Sequence, residues 1–353
     1  MDCDQNIIKA FVKLGEFLGQ FKESGIQKNP EVLKNDLYFD DMKHQIELAG
    51  HNNGWFTERN ILYSLENWSK VLNNNSISKW LLKYNFNNKK SKTVAIIMAG
   101  NIPLVGFHDF LCVLITGHNV LVKQSSNDKY LLPFLTNYLH AIEPNLKDRI
   151  KFTDNPLDEF DAAIATGSNN TARYFEYYFR KKPSIIRKNR NSIAVLNGRE
   201  SNDQLEALSE DIFRYYGLGC RNVSKLFVPK GYDFDLFFKA IYKWHPIIND
   251  SKYANNYDYN KTVYLMSEFD LLENGFLILK EDHSYSSPIA CLFYENYDNS
   301  DKLKDKIKND KDKIQCIVSD GLFKDEVKFG DTQKPQLWDY ADGVDTVDFL
   351  LKI

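Results

Sequence analysis

Cys220 stands in Gly217-Leu218-Gly219-Cys220-Arg221-Asn222, between two glycines and a cation, just ahead of the apolar run Leu226-Phe227-Val228. A thiol in a polar, glycine-rich turn beside a strand is open to approach. The reactive species is the thiolate, and a nearby positive charge or oriented backbone N–H groups lower its pKa from roughly 8.5. Such a residue offers nucleophilic chemistry: attack on a carbonyl and a covalent thioester. Cys112 and Cys291 lie in apolar strings and read as core residues. His108, His118 and His245 have the right type for proton transfer, although a single histidine is more often structural.

The elements that must position this thiol follow from periodicity. Residues 1 to about 90 read mostly as helix. Ile7, Ile8, Phe11, Val12, Leu14, Phe17 and Leu18 recur at helical spacing, with Gly15 and Gly19 weakening the pattern. A second helix runs from Thr57, its cap, to about Leu72; Asn73-Asn74-Asn75 breaks it, and a third segment covers Ser78 to Tyr84. From about residue 92 short apolar runs alternate with helical stretches: Thr93 to Met98, Leu104 to Ile115, Asn119 to Lys123, Asp128 to Ile142, Asp161 to Ala165, Asn170 to Phe179 and Ser192 to Leu196. Strand–helix–strand alternation predicts right-handed crossovers and a mainly parallel sheet, an α/β fold, with ligands bound beyond the carboxyl ends of its strands. Those ends are Gly100-Asn101, Lys123 and Gly167-Ser168. Residues 1–196 are expected to form a helical N-terminal region and a parallel-sheet lobe, and 197–325 a smaller α/β lobe that carries Cys220. Residues 326–353 are expected to pack on the first lobe or on a neighbouring subunit.

Bulk properties exclude several classes. The chain has 353 residues, 43% hydrophobic and 26% charged, as in ordinary globular proteins. A net charge of −3 gives no field for nucleic acid or an anionic membrane. Five cysteines (Cys3, Cys112, Cys220, Cys291, Cys316) are widely spaced without a Cys-x-x-Cys pair, so no metal site is expected and a reducing cytoplasm suits them. The start, Met1-Asp2-Cys3-Asp4-Gln5, lacks the basic region of a signal peptide, and the apolar stretch Ile102 to Gly117 is too short to span a bilayer.

Six motifs in order carry a resemblance: Trp55-Phe56-Thr57, Met98-Ala99-Gly100-Asn101-Ile102-Pro103, Leu121-Val122-Lys123-Gln124-Ser125-Ser126, Ala165-Thr166-Gly167-Ser168, the Cys220 segment, and Asp339-Tyr340-Ala341-Asp342-Gly343-Val344-Asp345. The chain resembles the aldehyde dehydrogenase superfamily and, within it, the LuxC-type fatty acyl-CoA reductases. The resemblance implies Cys220 as nucleophile and Asn101 as a side-chain donor to the oxyanion. Fixed donors of that kind are worth on the order of 10²–10³ in rate. It implies Lys123 at the adenosine ribose and Gly167-Ser168 under the pyrophosphate of a dinucleotide, although Ala172 replaces a usual glycine. Ser126 stands where a ribose-binding acid is common. Without that carboxylate, and with Ser125 and Ser126 as donors, NADPH is favoured over NADH.

Two departures bear on the reaction. The water-activating glutamate of hydrolytic relatives is absent from Arg187-Lys188-Asn189-Arg190-Asn191-Ser192, and Tyr285-Ser286-Ser287-Pro288 replaces a Glu-Ile-Phe-Gly-Pro segment. The first loss suits an enzyme that keeps an acyl-cysteine for reduction. The resemblance therefore implies NADPH-dependent reduction of a fatty acyl-CoA or other acyl thioester to a long-chain aldehyde. It also implies an acyl-transferring partner enzyme, pairing of copies through sheet edges, and aldehyde supply for light emission or for lipid or pigment synthesis. Arg180-Lys181-Lys182 with Arg187-Lys188 is a candidate contact for the coenzyme A phosphates. An oxidising aldehyde dehydrogenase and a catalytically silent interaction module are the competing readings.

Overall fold

A computed structural model describes residues 4–86 and 90–353; Cys3 lies outside the described residues. The chain forms two units, Met1–Lys188 with Gln336–Ile353, and Asn189–Pro335.

The first unit begins with helices. α1 (Gln5–Leu18) buries Ile7, Phe11, Leu14, Phe17 and Leu18 along one face, and Asp4 caps it through the Asn6 N–H. A two-stranded turn, β1 (Phe21–Lys22) and β2 (Gly25–Ile26), leads to α2 (Asn35–Asn52). α3 (Glu58–Val71) starts at Thr57, whose hydroxyl accepts the Asn60 N–H. Asn73 ends that helix and caps the next, α4 (Asn74–Leu81), by accepting the Ser76 N–H at 2.9 Å. Gly15 is needed rather than merely tolerated in α1. A Cβ there would stand 2.2 Å from the Leu72 carbonyl oxygen, so the helix meets the backbone at the end of α3.

The sheet of this unit contains β3 (Thr93–Ile97), β4 (Asn119–Lys123), β5 (Ile150–Phe152), β6 (Ala162–Thr166) and β7 (Ser184–Arg187) in the order β5-β4-β3-β6-β7. Every pairing is parallel. The crossovers carry α5 (Phe107–Ile115), α6 (Leu131–Ile142) and α7 (Asn169–Phe179). Val94, Ala95 and Ile96 of the central strand are buried, as a strand covered on both faces requires. The C-terminal helix Thr346–Lys352 packs on α5 and buries Val347 and Leu350. Its approach is fixed by polar contacts. Arg187 bridges Asp109 at 2.6 Å, the Ala341 carbonyl at 2.7 Å and the Thr346 hydroxyl at 2.9 Å. The Trp80 indole N–H donates to the Tyr340 hydroxyl at 2.7 Å.

The second unit holds β8 (Asn191–Val195), α8 (Asn202–Phe213), β9 (Val223–Pro229), α9 (Phe234–Ile241), α10 (Ser251–Met266), β10 (Leu271–Glu273), β11 (Ile278–Glu281), β12 (Cys291–Tyr297), α11 (Ser300–Asn309) and β13 (Ile314–Val318). The strand order is β10-β11-β12-β9-β8-β13, parallel except for β10 against β11. Ser201 and Gln204 form a reciprocal cap at the start of α8.

The strand at 192–196, expected to close the first sheet, instead lies inside the second, between β9 and β13. The unit boundaries accordingly fall at 188/189 and 335/336 rather than at 196/197 and 325/326. A short buried apolar strand shows that it joins a parallel sheet but not which one.

Candidate active site

Cys220 sits in the second unit, half-buried, in the turn between α8 and β9, whereas Cys112, Cys291 and Cys316 are buried. Burial raises the thiol pKa of Cys112 and Cys291, the latter to about 12, which keeps them as inert core residues. The turn has an unusual backbone. Tyr215, Tyr216 and Gly217 are all left-handed, with φ of 54°, 58° and 76°. Two non-glycine residues in that region carry strain, which persists only where the surroundings impose it.

Those surroundings are polar and buried. The Asn222 amide donates to the carbonyls of Asp211 (3.0 Å) and Arg214 (2.8 Å), closing the end of α8, and its oxygen accepts the Gly219 N–H at 2.9 Å. The Ser192 hydroxyl donates to the Cys220 carbonyl at 3.0 Å and accepts the Cys316 N–H at 3.1 Å. The Arg221 Nε donates to the Thr332 carbonyl at 2.6 Å. Thr332 in turn donates to the buried Asp211 carboxylate. Cys220 is thus flanked on both sides by anchored residues.

The other sequence-selected residues lie in the first unit. β3, β4 and β6 are parallel and paired at Ile97 with Lys123 and Ala165, so their carboxyl ends share one edge of the sheet. Chain order runs β3-β4-β5 to one side and β6-β7 to the other. The switch point between β3 and β6 is where such sheets bind ligands. Gly100 and exposed Asn101 follow β3, and Gly167 and Ser168 follow β6. A Cβ on Gly100 would stand 2.6 Å from the Ser125 hydroxyl, and one on Gly167 would stand 3.0 Å from Thr171. The loop at Gly100 therefore approaches Ser125 as glycine permits, and Gly167 sits tightly against the first turn of α7. Ser168 caps α7 by accepting the Thr171 N–H, and the first-turn N–H groups suit an anion. These features fit the pyrophosphate of a dinucleotide.

The loop after β4 refines the expectation. Lys123 Nζ donates to the Asn155 carbonyl at 3.0 Å, and the Ser125 hydroxyl accepts the Asn127 N–H at 3.2 Å, while Ser126 is exposed. Asp128 is buried. One of its oxygens accepts the N–H of left-handed Leu104 at 2.9 Å, and the other has no hydrogen-bond partner among the described residues. Burial pushes its pKa up to about 6, against the lowering effect of the Leu104 N–H. Asn53 donates to the carbonyls of Gly100 (3.5 Å) and Asn127 (3.4 Å), joining the loops after β3 and β4.

Of the expected basic cluster, Arg187 is withdrawn from the surface and the other four residues are exposed. Arg187 is buried against Asp109, and Lys188 pairs with Glu176 at 2.7 Å. Arg180 lies over the Tyr177 ring, and Lys182 covers Phe160 and bonds its carbonyl. His108 and His118 are tied down by hydrogen bonds, and His245 is exposed. His108 donates to Leu337 O and stacks among Trp68, Trp80 and Tyr340; His118 bonds Lys92 N and Leu350 O; His245 stacks on Tyr242. Burial lowers the pKa of His108 and of His118. Among the described residues no group of three or more His, Cys, Asp or Glu side chains could hold a metal, and no helix is long and apolar enough to cross a membrane.

Sequence reading missed Asp128, Asn53 and Asp211. Asp211 did leave a signal: it adjoins Ile212-Phe213 and lies three residues from Leu208, on the buried face of its helix.

A family profile described as acyl-CoA reductase (LuxC) matches residues 51–236, more than half of the chain. No curated protein sequence matches it. Solved structures share its fold. Aldehyde dehydrogenase 21 from Physcomitrella patens, in complex with the reaction product succinate, is 12% identical with a TM-score of 0.67, over 98% of this chain and 83% of its own. The aldehyde dehydrogenase from Bacillus cereus, as an NAD+ complex, is 12% identical with a TM-score of 0.56, over 88% and 75%. Aldehyde dehydrogenase C from Pseudomonas syringae, with NAD+ and octanal, is 11% identical with a TM-score of 0.59, over 85% and 69%.

Proposed function

The chain belongs to the acyl-CoA reductase (LuxC) family, and from that premise we propose that it reduces a fatty acyl thioester to a long-chain aldehyde with NADPH, through an acyl thioester on Cys220. The observation that carries the proposal is the contrast among cysteines: Cys220 is half-open in an anchored turn, while the other three described cysteines are buried.

The Cys220 thiolate attacks the thioester carbonyl, forming a carbon–sulfur bond. Asn101 and backbone N–H groups carry the charge that develops on oxygen. As the tetrahedral centre collapses, the bond to coenzyme A breaks and its thiolate leaves, so the acyl group rests on Cys220. A nicotinamide dinucleotide, when bound, supplies the hydride that takes this carbon to the aldehyde level. Lys123, Ser125, Ser126, Gly167 and Ser168 would hold it. Cys220 is the leaving group when the aldehyde is released, and sulfur leaves readily. No carboxylate stands in Arg187–Ser192 to activate water, and Arg187 is committed to Asp109. The acyl-cysteine is thereby spared hydrolysis, which disfavours an oxidising dehydrogenase.

NADPH is favoured over NADH because the loop after β4 offers exposed Ser126 and no accessible acid. Its single carboxylate, Asp128, is buried against Leu104 N. A reducing cytoplasm suits a thiol outside any disulfide. An acyl-transferring partner enzyme as donor, and light emission or lipid synthesis as destination, are carried over from the family.

Incubation with radiolabelled tetradecanoyl-CoA without reductant tests the reading. The chain gains one acyl group, released by added thiol, and Cys220→Ser gains none; NADPH oxidation on the same substrate vanishes in that variant. Oxidation of aldehyde to acid as the main activity sinks the proposal, and so does the absence of labelling with every thioester tried.

A further inference from the structure

The Asp211 carboxylate is fully buried, and among the described residues no cation pairs with it. It lies in the last turn of α8, where the helix dipole disfavours negative charge. Such a group is costly, and its surroundings show what it holds. One oxygen accepts the Gly330 N–H at 2.7 Å, and the other accepts the Thr332 N–H at 3.0 Å and the Thr332 hydroxyl at 2.8 Å. The segment Gly330–Thr332 is thereby strapped to α8. Gly330 fits against it closely: a Cβ there would lie 3.1 Å from the Ala207 side chain. The strap then holds the residue beside the nucleophile, since the Thr332 carbonyl accepts the Arg221 Nε at 2.6 Å. The Asp211 backbone carbonyl also accepts the Asn222 amide at 3.0 Å. One residue thus reaches the cysteine turn by two routes, through Arg221 and through Asn222.

We propose that Asp211 is a positioning residue for Cys220, and that its carboxylate, through the Gly330–Thr332 strap and Arg221, holds the strained cysteine turn in its reactive form. This rests on the reading of Cys220 as the nucleophile. All three groups bonded to the carboxyl are donors, so the ionised form satisfies them and the protonated form leaves its own O–H facing donors. The charged groups around it are Asp331 and Lys334 on the strap, paired at 3.1 Å, Glu210 and Arg214 on α8, paired with each other, and Arg221 on the turn. Burial, the largest influence, and Asp331 raise the Asp211 pKa, the strap donors lower it, and it comes to about 6. The strap is therefore fully made above that pH and loosens below it.

The test is the second-order rate of Cys220 alkylation by iodoacetamide between pH 5 and 8, for the full chain and for Asp211→Asn, with circular dichroism as a check on folding. The ratio of the two rates cancels the thiolate titration common to both. The variant is expected to react about tenfold more slowly at pH 7.5, with the ratio approaching one toward pH 5 as the parent chain loses its own carboxylate. Thr332→Val, which removes one donor to the carboxylate and raises its pKa further, moves the break to higher pH and serves if Asp211→Asn does not fold. A ratio that stays constant across the range, or equal rates at pH 7.5, overturns the proposal. The readout uses no acyl substrate or dinucleotide, so failed thioester labelling with a pH-dependent alkylation ratio would count against the reductase reading alone.

Discussion

Asn101→Ala shortens a side chain exposed in the loop after β3 and is expected to act on the chemical step. An oxyanion donor works in the transition state rather than on bound substrate, so kcat should fall by about 10²–10³ with little change in KM. A fall confined to KM would assign Asn101 to binding instead. Ser126 decides a different question at the same scale. Placing a carboxylate there, as Ser126→Glu, repels a 2′-phosphate and accepts from ribose hydroxyls. The ratio of kcat/KM for NADPH to that for NADH is expected to drop at least tenfold. An unchanged ratio would place cofactor choice elsewhere. Asp128 cannot supply that charge, because its carboxyl is turned into the protein against Leu104 N.

Elements hold these residues through close backbone approach, and two glycines in or at the end of the same helix show how. At Gly15 a Cβ would press to 2.2 Å on the Leu72 carbonyl and 2.8 Å on its Cβ, whereas at Gly19 the nearest atoms are at 3.5 Å. Gly15→Ala should therefore destabilise the first unit by about 3 kcal/mol through overpacking. Gly19→Ala should be neutral or gain a few tenths of a kcal/mol from reduced chain entropy. Urea denaturation of the two variants checks the contrast, and equal midpoints would contradict it.

The same contrast marks what the sequence made legible. The continuous apolar runs at Thr93–Ile97, Asn119–Lys123 and Ala162–Thr166 announced themselves as buried strands, and the parallel class followed. Ile150–Phe152, Ser184–Arg187 and Leu271–Glu273 are too short and too mixed to stand out. Asn191–Val195 was visible as a strand, but its sheet is fixed by pairing partners far along the chain. The half-open setting of Cys220 was legible from its turn, whereas the roles proposed for Asn101, Lys123 and Gly167-Ser168 rest on motif order. Of the buried carboxylates that hold their loops, Asp211 was marked only by its place on the apolar face of its helix, and Asp128, in a loop, carried no sign of burial. Arg187 misled for the same reason: among basic neighbours it reads as surface, yet it closes the C-terminal segment onto α5.

At the scale of the molecule, the second unit is an insertion in the sequence of the first, which is completed only by Gln336–Ile353. Leu337, Val347 and Leu350 of that return segment are buried, and Arg187 depends on it for two of its partners. A chain ending at Pro335 should lose the cooperative unfolding of the first unit, because each large buried side chain removed costs about 2–5 kcal/mol. The first unit also carries a titration with an unusual sign. Asp128 has its folded pKa raised to about 6 by burial, against roughly 3.9 in an unfolded chain. Between those values the unfolded state gives up its proton first, so this group removes stability as pH rises from about 4 to about 6, and the loss persists above. His108, His118 and His140 act oppositely, since burial lowers their pKa and unfolding lets them bind protons below about 6.5. Their effects oppose one another in the parent chain and are common to a variant altered only at Asp128. Asp128→Asn keeps an oxygen for the Leu104 N–H and removes the buried charge. It should gain about 1–2 kcal/mol over the parent at pH 7.5, with the gain shrinking to nothing by pH 4. Denaturation midpoints at the two pH values measure it; a loss of stability at pH 7.5 would mean that the partnerless oxygen has a cation to face.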